Sequence, residues 1–80
     1  MEDKIRTLYA VVTIDEKGGI TSDGYSTMNK AEERADEIIE DIKSKGLNYK
    51  VYISELEYYL YKNTYVSNEF INDDSILLYG

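Results

Sequence analysis

The sequence predicts a single α+β domain, residues 1–80, in which one amphipathic helix packs on one face of an antiparallel sheet of four to five strands. Three observations lead to this fold class. A segment with helical apolar periodicity lies near the middle of the chain, and segments rich in β-branched residues and tyrosine lie on both sides of it. Short turn signals separate consecutive strands, which favours antiparallel pairing in the order ββαββ.

The first two strands are predicted to form a hairpin. Residues 5–15 are rich in β-branched and aromatic side chains, and the turn at 16–19 (EKGG) leads into a shorter strand at 20–26 that bends at Asp23-Gly24. One set of alternate positions in the first strand is predicted to face the helix: Leu8, Ala10, Val12 and Ile14. The other set is predicted to line the uncovered face: Tyr9, Val11 and Thr13.

The helix is predicted over residues 29–45. Asn29 is the predicted N-cap, with Glu32 three residues later in a pattern close to a capping box. Gly46, preceded by Lys43 and Lys45, is predicted to end the helix. The apolar side chains that recur at helical spacing are expected to lie across the hairpin: Met28, Ala31, Ala35, Ile38, Ile39 and Ile42.

The segment after the helix has two interpretations. As a continuous strand, its apolar face changes between Ile53 and Leu56, and a β-bulge at Ser54-Glu55 would repair the register. As a short helix, residues 54–62 would begin at Ser54, with Glu57 completing a capping box. The β-branched and tyrosine content favours the strand. Further elements are predicted in order: a hairpin turn at 62–63, a strand at 64–66, a turn at 72–74 and a last strand at 76–79.

Composition excludes several kinds of chemistry. The chain has no cysteine and no histidine, so disulfides, thiolate metal sites and histidine-dependent acid–base catalysis are excluded. Its carboxylates are predicted to lie on an exposed helix and in turns, where they are solvated and unsuited to acid catalysis. We therefore predict no catalytic residue, no metal site and no cofactor, and we do not expect an enzyme.

The charge balance indicates which partners the protein can take. Sixteen acidic residues against nine basic ones give a net charge of −7. Such a surface repels nucleic acid and anionic lipid and attracts basic protein surfaces, so neither direct nucleic-acid binding nor membrane binding is expected. No apolar stretch approaches the roughly 20 residues of a membrane span, and no signal peptide is recognisable, so we expect a cytoplasmic location.

The outer face of the predicted helix is a candidate partner-binding surface. It carries an acidic ridge, which we define as Glu33, Asp36, Glu37, Glu40 and Asp41. Like-charged residues four apart on a helix repel by a few tenths of a kcal/mol per pair, so a helix selected for stability alone would carry more lysine here. The ridge therefore favours a basic partner, although a merely solvated face remains an alternative.

Tyrosine provides a second candidate surface. Nine of the ten aromatic residues are tyrosine, and part of the cluster formed by Tyr58, Tyr59 and Tyr61 is predicted to lie on the uncovered face of the sheet, with Tyr59 and Tyr61 as candidate partner-binding residues. Tyrosine packs through its ring while its hydroxyl remains hydrated, which suits a contact surface. This face would bind a partner or form a homodimer, or its hydroxyls would leave it hydrated in a monomer.

The composition and element order resemble those of small acidic proteins encoded by phages and mobile elements of low-GC bacteria, with GYSTMNKAEERADEIIEDIKSKG as the most typical stretch. Among these, the chain is most similar in character to anti-CRISPR proteins. The resemblance implies an inhibitor that presents carboxylates to the nucleic-acid-binding channel of a Cas effector. No motif is shared, so the resemblance assigns no site residue.

Three hypotheses about function follow. The first is a non-enzymatic inhibitor that binds a basic, nucleic-acid-handling protein through the acidic ridge, as a nucleic-acid mimic. The second is a homodimeric structural or regulatory protein whose tyrosine face is the interface. The third is a sponge for a small ligand, enclosed between the sheets of two protomers.

Overall fold

Residues 5–80 are described by a computed structural model in which one helix and five strands form a curled antiparallel sheet domain. The elements are β1 (Ile5–Ile14), β2 (Ile20–Tyr25), α1 (Met28–Lys45), β3 (Lys50–Tyr61), β4 (Thr64–Val66) and β5 (Ile76–Tyr79). The sheet has the order β2-β1-β3-β4. β4 and β5 pair with the same edge of β3, β4 near the end of that strand and β5 near its start. The predicted α+β fold class is confirmed, and the predicted order ββαββ agrees with the first five elements, which β5 follows.

The turn between β1 and β2 is built around Asp15. Its Oδ1 atom accepts hydrogen bonds from the backbone N–H groups of Lys17 and Gly19, each at 2.8 Å. Gly18 has a φ of 87°, which explains why glycine is needed in this turn. The predicted turn is confirmed.

The N-cap of the helix lies two residues before the predicted cap. Thr27, not Asn29, is the N-cap: its backbone is extended, and its side-chain oxygen accepts a hydrogen bond from the backbone N–H of Lys30 at 3.2 Å. Asn29 lies inside the first turn, where its side chain cannot take this role. The predicted end is confirmed, because Gly46 is left-handed (φ 67°) and its N–H bonds back to the last turn.

The helix packs on the opposite face of β1 from the one predicted. Val11, only 2% exposed, lies under the helix, whereas Leu8, Ala10 and Val12 form a second buried cluster on the other face. Both faces of β1 are apolar, so alternation alone cannot choose between them. The choice depends on β3, which pairs Ile53 with Val11 and so completes the surface under the helix. We call this the helix side of the sheet and the other the open side.

β3 is a single strand without the predicted bulge. Its register with β1 is unbroken from the pair Ile5–Tyr59 to the pair Ile14–Lys50. The apolar side chains of β3 do change face along the strand, because Ile53 is buried under the helix and Leu56 is buried on the open side. The alternative of a short helix at 54–62 is wrong. The sole register shift in β3 among residues 5–80 lies between Val51 and Tyr52, where the strand pairs with β5.

Apolar residues on the open side are buried because the sheet curls over them. No helix of the described chain covers it, yet Ala10 and Val12 are fully buried there. The ring of Tyr58 extends across the face toward β2, where a Cβ atom on Gly24 would lie only 3.2 Å from the Tyr58 hydroxyl oxygen. Small residues on β1 and β2 thus make room for large ones from β3. The prediction of an exposed tyrosine face is therefore wrong for Tyr58, which is buried.

The chain after β3 follows the predicted turns. Lys62 and Asn63 both have positive φ, as in a two-residue hairpin turn, and lead into β4. Residues 67–75 then run along the edge of β3, where the hydroxyls of Ser54 and Ser75 lie 2.6 Å apart. The side chain of Asn72 accepts from the backbone N–H of Asp74 at 2.9 Å and so forms the last turn before β5.

Candidate partner-binding surface

The acidic ridge is exposed along its whole length, as predicted from the helix periodicity. The helix buries Ala31, Ala35 and Ile42 against the sheet, and this orientation turns its carboxylates to solvent. All five ridge residues are exposed: Glu33, Asp36, Glu37, Glu40 and Asp41. The helix is long enough, at 18 residues, to present them on one stable element.

Two ridge carboxylates are paired with cations. Arg34 donates to Glu37 at 3.0 Å, and Lys45 donates to Asp41 at 3.1 Å. The hydrogen bond with Glu37 raises the pKa of the Arg34 guanidinium, which stays charged in any case. Both pairs are exposed and contribute little to stability.

The other three ridge carboxylates are Glu33, Asp36 and Glu40. No cation of residues 5–80 lies within 4.0 Å of any of them. Their charge is therefore available to an external partner.

The strand register separates charge between the two sides of the sheet. Asp23 pairs with Val11 and Glu55 with Tyr9, which places both carboxylates on the helix side, and Glu57 follows two residues later on the same side. On the open side, the only charged strand residues within 5–80 are the cations Arg6 and Lys50. Helix and strands thus place their negative charge on the same side of the molecule.

A shallow acidic cavity lies on the helix side beyond the part of β3 that the helix covers. Its volume is about 390 Å³. The lining includes three glutamates, Glu55 and Glu57 from the strand and Glu69 from the following loop. The spacing of Glu55 and Glu57 in a strand predicts that they share a face, but Glu69 could not be placed from the sequence because no periodicity governs residues 67–75. Within residues 5–80, no acidic cluster has the arrangement of a metal site.

The two tyrosines predicted as partner-binding residues are not on the open side. Tyr59 pairs with Ile5 and Val66 on the helix side, and its hydroxyl accepts a hydrogen bond from Asn68 at 2.6 Å beside the acidic cavity. Tyr61, two residues further along the strand, is 59% exposed, with the Lys62 ammonium 5.3 Å from its ring centroid. Both therefore lie on the same side as the ridge but at the distal end of β3, and the structure does not group them with Tyr58.

No protein family model, curated protein or solved structure matches this chain. Among the described residues, the single helix is too polar to cross a membrane.

Proposed function

We propose that this protein is a non-enzymatic antagonist that binds a basic, nucleic-acid-binding surface of another protein through the helix side of its sheet. The observation that carries the proposal is the concentration of helix and strand carboxylates on that side. The resemblance to anti-CRISPR proteins supports a Cas effector as one class of partner.

The charge density of the ridge approaches that of nucleic acid. From Glu33 to Asp41 the helix rises about 12 Å, at about 1.5 Å per residue, so the five ridge carboxylates are spaced about 3 Å apart along the axis on average. The three without a nearby cation (Glu33, Asp36 and Glu40) are spaced about 5 Å apart, compared with roughly 3.4 Å per charge along one strand of duplex DNA. A channel lined with lysine and arginine would accept such a helix in place of a phosphate backbone.

The acidic cavity extends this surface. Its three glutamates could receive a lysine or arginine side chain of the same partner. The exposed ring of Tyr61, two residues beyond Tyr59 of the cavity lining, offers stacking area for such a cation. The ridge would steer encounter by long-range attraction, while the cavity and tyrosines would supply short-range contacts.

A charge-reversal experiment tests this proposal. Changing Glu33, Glu37 and Glu40 to lysine should preserve the fold, because all three are exposed. We expect a loss of about 1 kcal/mol per reversed charge at a basic interface, or about 100-fold in affinity for the three. The measurement is the Kd for a partner captured from a bacterial lysate by the wild-type protein and then purified.

The matched control is a variant with Glu16, Asp73 and Asp74 changed to lysine. It has the same net charge as the ridge variant, but its substitutions lie in turns. The control should retain binding, and duplex DNA should displace the partner from the wild-type protein. A partner that binds the ridge variant as tightly as the wild type, or that DNA does not displace, would contradict nucleic-acid mimicry.

A further inference from the structure

The helix side of the sheet has a part that α1 does not cover. The helix packs on β1 and β3 around Val11 and Ile53, and the pairing of these two strands continues beyond it without a break. From Glu55 to the end of β3 at Tyr61, the uncovered stretch measures about 20 Å, at about 3.3 Å per residue. We define the distal face by its helix-side residues Ile5, Glu55, Glu57, Tyr59, Tyr61 and Val66.

The distal face is apolar at its outer end and acidic nearer the helix. At the outer end, Ile5, Tyr59 and Val66 are aligned across three strands, and Ile5 and Val66 are 60% and 37% exposed. Nearer the helix, Glu55 and Glu57 are both exposed, and no cation of residues 5–80 lies within 4.0 Å of either carboxylate. Exposed apolar side chains bordered by charges of one sign are typical of a protein-binding surface.

From this arrangement we infer that the distal face binds a basic amphipathic α-helix of a partner protein. The occupant is basic because every charged residue that lines the adjoining cavity is a glutamate, including Glu69 from the loop after β4. It also carries an apolar stripe, which covers the row formed by Ile5, Tyr59 and Val66. The inference rests on the proposed function for the basic character of the partner, and it adds which element of the partner binds.

A helix suits this face better than an extended segment does. The backbone N–H and C=O groups of a sheet are directed at neighbouring strands, so the face offers no hydrogen bonds to the backbone of an occupant. A helix satisfies its own backbone groups, as α1 does on the same side of the sheet.

The spacing of the two strand glutamates also matches a helix. Residues four apart rise about 6 Å along a helix axis, and residues two apart in a strand, such as Glu55 and Glu57, are separated by about 6.7 Å. Lysines or arginines at positions i and i+4 of the partner helix therefore reach both carboxylates. About 14 helical residues span the whole face, at about 1.5 Å per residue.

A synthetic peptide tests the inference without an identified partner. The probe is a helical peptide of about 18 residues with leucine along one stripe and lysine beside it, about 27 Å long. The comparison peptide has the same composition in scrambled order, so it keeps the charge and loses the stripe. Isothermal titration calorimetry at about 0.15 M NaCl, where long-range attraction is screened, measures both Kd values. The striped peptide should bind at least about tenfold more tightly.

Paired charge variants locate the binding site. Glu55→Gln combined with Glu57→Gln should raise the Kd of the striped peptide about fivefold, because two ion pairs are lost. The matched control, Glu33→Gln combined with Asp36→Asn, removes the same two charges from the acidic ridge and should leave the Kd nearly unchanged. Circular dichroism verifies that each variant is folded.

Paired apolar variants test the stripe. Ile5→Ser removes an exposed isoleucine from the distal face and should weaken binding of the striped peptide. Ile20→Ser removes an exposed isoleucine from the open side, where Ile20 pairs with Ile14, and should have no effect. In heteronuclear NMR spectra, the backbone amides shifted by the peptide should lie in residues 5–7 and 55–61.

Three results would each overturn the inference. These are a striped peptide that binds no better than the scrambled one, equal losses within either pair of variants, or amide shifts centred on the ridge. The proposed function is judged separately, by the Kd of the captured partner after charge reversal at residues 33, 37 and 40. A peptide that fails to bind the distal face therefore leaves the ridge result intact, and the reverse also holds.

Discussion

The helix isoleucines differ in how deeply they are buried, although the sequence pattern treats them as equivalent. Ile42 is 2% exposed and packs among Val51 and Ile53, whereas Ile38 is only partly buried at the margin of the same cluster. Ile42→Ala should therefore destabilise the protein by about 2–5 kcal/mol, because it removes buried methyl groups and leaves a cavity. Ile38→Ala should cost less, about 1–2 kcal/mol. Urea unfolding followed by circular dichroism gives both values.

The difference between these two variants is the informative quantity. Both remove the same atoms from the same helix, so helix propensity affects them alike. Equal losses would mean that the helix is rotated about its axis relative to the sheet described above.

Because β1 is apolar on both faces, the sequence could not predict which face of this strand meets the helix. Val11 and Val12 are both apolar and both buried, on opposite faces. Alternation identifies a strand from such a pattern but not the face that meets the helix. The sequence alone placed Val11 on the uncovered face, but Val11 is buried under the helix, so Val11→Asp should unfold the domain.

At the scale of the element, the helix start offers a direct comparison of two caps. Thr27→Ala should destabilise the protein by about 1 kcal/mol, because the N–H of Lys30 loses its side-chain acceptor. Asn29→Ala should be neutral or slightly stabilising, because alanine has the higher propensity inside a helix. Thermal melts of both variants measure the contrast, and a larger loss from Asn29→Ala would restore the cap predicted from the sequence.

The elements themselves were predictable to different degrees. The helix was identified within two residues of its start, and the glycine at its end was correct, because periodicity and capping chemistry are local properties. β3 was predicted as the favoured of two interpretations, but with a bulge that does not exist. The pattern of β3 changes face because the helix covers only the part around Ile53, while the curled open side buries Leu56. That cause is tertiary and leaves no local signal.

At the scale of the whole molecule, the ridge was predictable and the separation of charge between two sides was not. The ridge follows from helical periodicity alone. The positions of Asp23 and Glu55 relative to it depend on strand register across three strands, which the sequence does not specify. Glu69 enters the same surface only because the loop after β4 returns along β3.

The accumulated negative charge should make the stability of the domain depend on salt. With a net charge of −7 and the Cβ atoms of i,i+4 ridge residues about 5–6 Å apart, the carboxylates repel one another within the folded state at low ionic strength. Raising NaCl from about 0.01 M to about 1 M shortens the Debye length from about 30 Å to about 3 Å. The Tm of the wild-type protein should therefore rise over this range.

The ridge variant separates repulsion within the helix from the effect of net charge. Each glutamate-to-lysine change adds two units of charge, so lysines at 33, 37 and 40 bring the net charge from −7 to −1. The i,i+4 pairs 36/40 and 37/41 become attractive, while 33/37 stays repulsive and the Arg34–Glu37 ion pair is replaced by two cations. At low salt this variant should have a higher Tm than the wild type, and its Tm should change little with NaCl. The control variant with lysines at 16, 73 and 74 has the same net charge but an intact ridge, so its Tm should retain part of the salt dependence. A wild-type Tm that stays constant or falls as NaCl rises would show that the ridge carboxylates do not repel one another appreciably in the folded protein.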